Sequence, residues 1–154
     1  MEIERKYLVD RLPEHLQQYP HTVIEQAYLC TSPVLRIRRM GDAFVLTVKE
    51  KLPSASTAIH NREEEFSLTE EAYNQLLDKH IGHIVRKTRY KIDVDGYTAE
   101  LDIFEGRHSG LRLVEVEFPS TAAADRFTPP SWFGRDVSQD PHYRNSRLAM
   151  SEEG

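Results

Sequence analysis

The sequence predicts a mainly β protein of α+β type, in which about eight antiparallel strands dominate and a few helices flank them. Three observations predict it. Short segments of polar–apolar alternation recur along most of the 154 residues, and in a strand such alternation sorts side chains onto two faces. Tight-turn pairs, Gly41-Asp42 and Asp95-Gly96, join neighbouring segments as hairpins. The other connections are mostly short, which makes the sheet largely antiparallel.

The first strand runs from Glu2 to Val9, with Glu2, Glu4 and Lys6 on one face. Pro13 suits a first helical turn, so Leu12 to Gln18 reads as one small helix. Thr22 to Thr31 is the next strand, with Ile24, Gln26 and Tyr28 together, and Ser32-Pro33 turns the chain. Val34 to Met40 puts Arg36 and Arg38 on one face, and Ala43 to Glu50 puts Val45, Thr47 and Lys49 on one face. Lys51 to Thr57, with Pro53 and small polar residues, is a loop. Ile59 to Leu68 is a strand carrying Glu63 and Glu65.

Thr69 is a natural helix N-cap, since Glu70 and Glu71 fall in the first turn and Tyr73, Leu76 and Leu77 follow at helical spacing. That helix stops between His80 and Gly82. Three strands follow: His83 to Asp93 with Lys87, Arg89 and Lys91 on one face, Tyr97 to Glu105 with Glu100 and Asp102, and Leu111 to Phe118 with Glu115 and Glu117. Ser120 caps a short helix to Phe127, Trp132 and Phe133 pack the tail on the sheet, and the last turns before Met150 are helical.

Length and composition bound the class. The chain predicts one domain over 1–154. Twenty basic and 25 acidic groups give a net charge of −5, which argues against a general nucleic-acid binder. A single cysteine, Cys30, excludes an internal disulfide and points to a reducing, cytoplasmic setting. No run of apolar residues is long enough for a membrane helix. The seven histidines show no metal-ligand spacing, and Cys30 reads as a small packed residue.

The ionic face is the informative feature. Its members are Glu2, Glu4, Lys6, Arg36, Arg38, Lys49, Glu63, Glu65, Lys87, Arg89, Lys91, Glu100, Asp102, Glu115 and Glu117. Two architectures accommodate it: an open sheet with cross-strand ion pairs in solvent, or a barrel with charges inside and apolar faces outside under helices. The near absence of Ser, Thr and Gln from this face, and the clustering of sign by strand, count against the open sheet. In the barrel, an Arg and Lys wall suits a polyanion with several phosphates. A carboxylate wall suits hard divalent cations that also bind phosphate oxygens. Together they describe metal-dependent phosphoryl transfer.

Glu2-Ile3-Glu4-Arg5-Lys6 resembles the ExExK motif of the CYTH, or triphosphate tunnel metalloenzyme, superfamily. The resemblance extends over nearly the whole chain. It takes in Arg36-Ile37-Arg38, Lys49, Glu63 with Glu65, Lys87-Thr88-Arg89-Tyr90, Glu100-Leu101-Asp102 and Glu115-Val116-Glu117. Trp132-Phe133-Gly134, Tyr143 and Asn145 look like the endings of the short bacterial members. The resemblance implies an eight-stranded antiparallel β-barrel tunnel with a charged lumen that acts on a small-molecule triphosphate with Mg2+ or Mn2+, with two ions expected.

By that resemblance Glu2, Glu4 and Glu117 are the main metal ligands, and Glu63, Glu65, Asp102 and Glu115 support the metals. Lys6, Arg36, Arg38, Lys49, Lys87 and Arg89 bind the phosphates, with Glu2, Glu4, Lys6 and Lys49 expected to be catalytic. Inorganic triphosphate is the expected substrate. Alternatives are a nucleoside or other organic triphosphatase, a class IV adenylate cyclase, and a non-catalytic polyphosphate- or nucleotide-binding module. The cyclases usually carry a His-Phe pair ahead of ExExK, and this chain begins at the motif. The loop Lys51 to Thr57 departs from the Gly-rich loop of many relatives. No nucleic acid or membrane partner is expected, and a homodimer is left open.

Overall fold

The computed structural model describes residues 1–151 and places a strand at every alternating segment. In chain order these are β1 (Glu2–Val9), β2 (His21–Thr31), β3 (Val34–Met40), β4 (Ala43–Lys51), β5 (Ile59–Ser67), β6 (Ile81–Val94), β7 (Tyr97–Phe104) and β8 (Arg112–Glu117). A short β9 (Phe133–Asp136) follows them. Three helices, α1 (Glu70–Leu77), α2 (Thr121–Arg126) and α3 (Asn145–Met150), complete the chain. Thr69 and Ser120 cap α1 and α2 as expected, each accepting a backbone N–H bond three residues on. Among the described residues no helix is long and apolar enough to cross a membrane.

Strands β5, β4, β3, β2, β6, β7, β8 and β1 are hydrogen-bonded in that order, and β1 returns to β5. Eight antiparallel strands therefore close a barrel. Closure rests on β1, whose two edges are used differently. One edge takes β8 from Glu4 to Leu8. The other takes β5 at Glu2 to Glu4 and then β9 at Tyr7 and Val9. Dividing that edge leaves little of it unpaired.

Closure decides between the two architectures. Glu4, Lys6, Arg36, Arg38, Lys87 and Asp102 are all buried, so the ionic faces line the inside. The apolar faces point outward and would be exposed without cover. Helix α2 and the aromatic segment Phe127 to Phe133 cover β1, β7 and β8, packing on Tyr7, Leu101, Val114 and Val116. Helix α1 covers Ala27 and Ile37 through Tyr73, Leu76 and Leu77.

At one end the lumen itself turns apolar. Tyr28, Val85, Phe104 and Leu113 meet Val137, Leu148 and Ala149 there, so α3 stoppers that end. Gly82 makes the close approach possible. Its φ is +66°, and a Cβ there would collide with the Ala149 carbonyl.

The structure corrects several boundaries. β9 was not anticipated, because four residues carry too little alternation to be read. Instead of a helix over Leu12 to Gln18 there is a single 3-10 turn, Leu16–Gln18, preceded by His15 in a left-handed conformation. β6 begins at Ile81 rather than His83, because Gly82 joins the strand under α3.

Candidate active site

The alternation that made the strands also fills the lumen, and the strand order sorts its charges. Neighbours β5, β1 and β8 bring Glu63, Glu65, Glu2, Glu4, Glu115 and Glu117 side by side as one acidic wall. Glu4 sits directly across from Glu117, and Lys6 across from Glu115. Strands β4, β3 and β6 bring Lys49, Arg36, Arg38 and Arg89 as the facing basic wall. These residues share one cavity of about 930 Å³.

Most of the cations are held by the carboxylates. Lys49 reaches Glu2 at 3.2 Å and Glu63 at 3.7 Å. Arg38 donates to Glu65 at 3.0 Å, and Lys6 lies 3.5 Å from Glu115 and donates to the Tyr143 carbonyl at 3.0 Å. Arg89 grips Asp102 through two bonds of 2.8 and 2.9 Å and touches Glu100 at 3.3 Å. Arg36 is the exception: it is 7% exposed, has no ion pair among the described residues, and its Nε has no hydrogen-bond partner.

Electrostatics follow from this crowding. Burial, then the neighbouring Glu115 carboxylate, raise Glu4 well above the usual range. Burial and a hydrogen bond with Glu63 raise Glu2, against the pull of Lys49 and Asn61. Glu117 is raised by burial and by Glu2 and Glu100. Glu115 behaves oppositely: burial pushes it up, but Lys6, Arg89, Lys49 and Lys87 together hold it well below the usual range. Burial and Arg36 push Arg38 down to about 10, while Glu4, Glu2 and Glu63 outweigh both influences at Lys49 and raise it. A surplus of carboxylates that resist ionising together describes a wall with room for added positive charge.

Two expected contacts are not on the cavity wall. Lys87 is fully buried and paired with Asp102 at 2.8 Å, and Asp102 is 2% exposed and spanned by Lys87 and Arg89. Burial takes the Lys87 ammonium down to about 8 despite that carboxylate. The pair lies behind Arg89, and Asp102 holds Arg89 through its two bonds. The remaining predicted site residues all line the cavity.

Other lining residues were missed. Asn61 donates to Glu2 at 3.0 Å; it shares the face of Glu63 and Glu65, so extending the alternation by one step would have found it. Ser138, Arg144 and Ser146 line the cavity from the tail, where no periodicity points to them. Asn145 accepts from Gln26 and from Lys87, both at 3.2 Å, which ties α3 to the lumen floor. Tyr28, by contrast, was already set on one face with Ile24 and Gln26 by the alternation of β2, and it lines the cavity at 1% exposure.

Carboxylate oxygens dominate the acidic wall, and such a hard donor set fits magnesium or manganese. Among the described residues no three His, Cys, Asp or Glu side chains already converge as a closed metal cluster. The donors instead line an open wall facing the cations, an arrangement suited to an ion shared between protein and phosphate oxygens.

Similarity to known proteins runs the length of this architecture. The chain is 39% identical over 155 residues to an inorganic triphosphatase of Nitrosomonas europaea, covering 97% of each. It is 33% identical to an inorganic triphosphatase of Acetivibrio thermocellus, covering 97% of this chain and 94% of that one. A crystal structure of an inorganic triphosphatase superposes with a TM-score of 0.73 at 36% identity, over 100% of this chain and 97% of the other. With residues 1–128 matching the CYTH domain and these relatives matching along nearly the full length, the chain belongs to the CYTH domain family.

Proposed function

We infer that this protein is an inorganic triphosphatase that hydrolyses inorganic triphosphate to phosphate and pyrophosphate with magnesium or manganese. The observation that carries this reading is the buried, unpaired Arg36 on a wall of cations facing a wall of carboxylates. A guanidinium left without a counter-ion in a lumen is costly unless an anionic ligand completes it. Similarity to proteins named inorganic triphosphatase supports the choice of anion.

Arg36, Arg38, Lys49, Lys6 and Arg89 bind and orient the phosphate chain along the basic wall. Glu2, Glu4 and Glu117 would be the foremost metal ligands, with Glu63, Glu115 and Glu65 beside them, and two ions are proposed. A divalent cation held there would neutralise phosphate charge and polarise a phosphorus–oxygen bond. Water attacks in line at a terminal phosphorus, and pyrophosphate leaves on the opposite side while the cations carry its charge. Lys87 and Asp102 keep Arg89 in place from behind. The single domain spans the chain, and a cytoplasmic setting fits the lone cysteine.

The test is phosphate release from inorganic triphosphate with and without magnesium, beside ATP. Metal-dependent release from triphosphate, with little from ATP, is expected. Release mainly from ATP would move the assignment to a nucleotidase, and no release from either would refute the hydrolytic reading.

A further inference from the structure

The lumen is polarised along its axis. At the end away from α3, exposed Glu65 and Glu117 stand on the rim with half-buried Glu100 and a single exposed cation, Lys91, across from Glu100. At the tail-side end two exposed cations line the cavity: Lys51, the last residue of β4, and Arg144, just before α3. The acids of that rim are otherwise engaged. Glu50 lies 3.9 Å from Arg62, and Asp140 is paired with His142 at 2.9 Å and Arg135 at 3.9 Å. Among the described residues no carboxylate stands within ion-pair distance of Lys51 or Arg144, and the two charges repel: burial, then Arg144, lowers Lys51.

The segments bearing these cations are fastened together. Gln139 of the tail donates to the Thr57 carbonyl at 2.8 Å and the Ala58 carbonyl at 3.2 Å, holding the loop after Lys51 against the tail. Asp125 accepts from Ser56 at 3.2 Å and from Arg5, and Arg5 donates in turn to Thr57 at 3.0 Å. Two like charges are thus kept near one another by a scaffold of hydrogen bonds. Arg144 lies beyond residue 128, where the match to the family's domain ends.

We propose that Lys51 and Arg144 form a two-cation clamp for the end phosphate of the substrate chain, and that the clamp favours a free phosphate end over an esterified one. The proposal rests on the triphosphate reading above. A free end offers an added negative charge and an added acceptor oxygen to two donors, each forming a charge-assisted bond. An esterified end would set a sugar and base against a rim of Thr31, Ser32, Pro33, Lys51 and Arg144, which offers two charges and no aromatic face for stacking.

The experiment compares wild type with Lys51→Ala, Arg144→Ala and the double variant. Calorimetric binding of tripolyphosphate and of diadenosine triphosphate, whose two ends are both esterified, is measured in magnesium-free buffer, and hydrolysis of tripolyphosphate is followed separately with magnesium. Both side chains are exposed, so unchanged melting curves are the folding control. Each single substitution is expected to weaken tripolyphosphate binding by about tenfold, with diadenosine triphosphate changed by less than about threefold because neither of its ends is free. Tripolyphosphate affinity within twofold of wild type in the double variant would overturn the clamp, and equal weakening of both ligands would overturn the selectivity. Tight wild-type binding without magnesium-dependent hydrolysis would instead defeat the triphosphatase reading, with the variants' binding still deciding the clamp. Wild-type protein that binds no tripolyphosphate would defeat both.

Discussion

Replacing Asp102 by alanine removes the carboxylate shared by Lys87 at 2.8 Å and by Arg89 at 2.8 and 2.9 Å. With Asp102 present, burial already holds Lys87 near 8 against an ordinary 10.5, which costs about 3 kcal/mol at neutral pH. Without Asp102 the amine escapes further penalty by releasing its proton. Its added loss near pH 7 is therefore capped at about 1 kcal/mol. Arg89 has no such escape. It keeps the 3.3 Å contact with Glu100 and loses two charge-assisted bonds, on the order of 2–3 kcal/mol. The sum is about 3–4 kcal/mol, within the range for breaking a buried ion pair. Urea denaturation at pH 7, followed by circular dichroism, measures it. Glu50→Ala is the control, since Glu50 and Arg62 are both well exposed and 3.9 Å apart; its loss should stay within about 0.5 kcal/mol. A loss below about 1 kcal/mol in Asp102→Ala would refute the argument that this pair braces the lumen from behind.

Other expectations follow from single residues. Glu4→Gln should abolish metal-dependent phosphate release without lowering the melting temperature, because burial and Glu115 already oppose the Glu4 charge; full activity would end its role as a ligand. Arg36→Met should raise KM for triphosphate by about tenfold or more while stabilising the ligand-free protein by about 1 kcal/mol; steady-state kinetics and urea curves on one preparation check both halves. Gly82→Ala should destabilise by at least about 2 kcal/mol, from the left-handed backbone and the collision with the Ala149 carbonyl, and unchanged stability would contradict the stopper role of α3. Lys87 also makes a pH prediction. Between about 8 and 10.5 the unfolded chain holds a proton that folded Lys87 has released, so this residue makes stability rise with pH across that window. Urea midpoints of wild type against Lys87→Met test it: the upward slope should be smaller in the variant, and equal slopes would contradict it.

How far the site could be read without coordinates differs from element to element. The strands were legible because period-two alternation is local, and the hairpins because Gly41-Asp42 and Asp95-Gly96 are turn pairs. Parity then placed Arg36 with Arg38 and Glu115 with Glu117 on common faces, and the structure puts both pairs in the cavity. The same parity put Lys87 with Arg89 and Asp102 with Glu100. It could not tell that Lys87 and Asp102 lie behind the wall, because depth within a barrel depends on stagger and on what fills the end. The tail shows the limit most clearly. Ser138, Arg144 and Asn145 reach the lumen because β9 pairs with β1 and α3 packs against Gly82, and neither contact leaves a periodic trace in the sequence.

The sequence by itself determined the strands, their pairing as hairpins and the sign of charge on each face, since those depend on residue type and near neighbours. Only the tertiary structure decided which face was inside, which wall met which, and which charges line the open cavity. Those follow from the pairing of β1 with β5, residues separated by more than fifty positions, and from the packing of a tail whose partners lie across the whole chain.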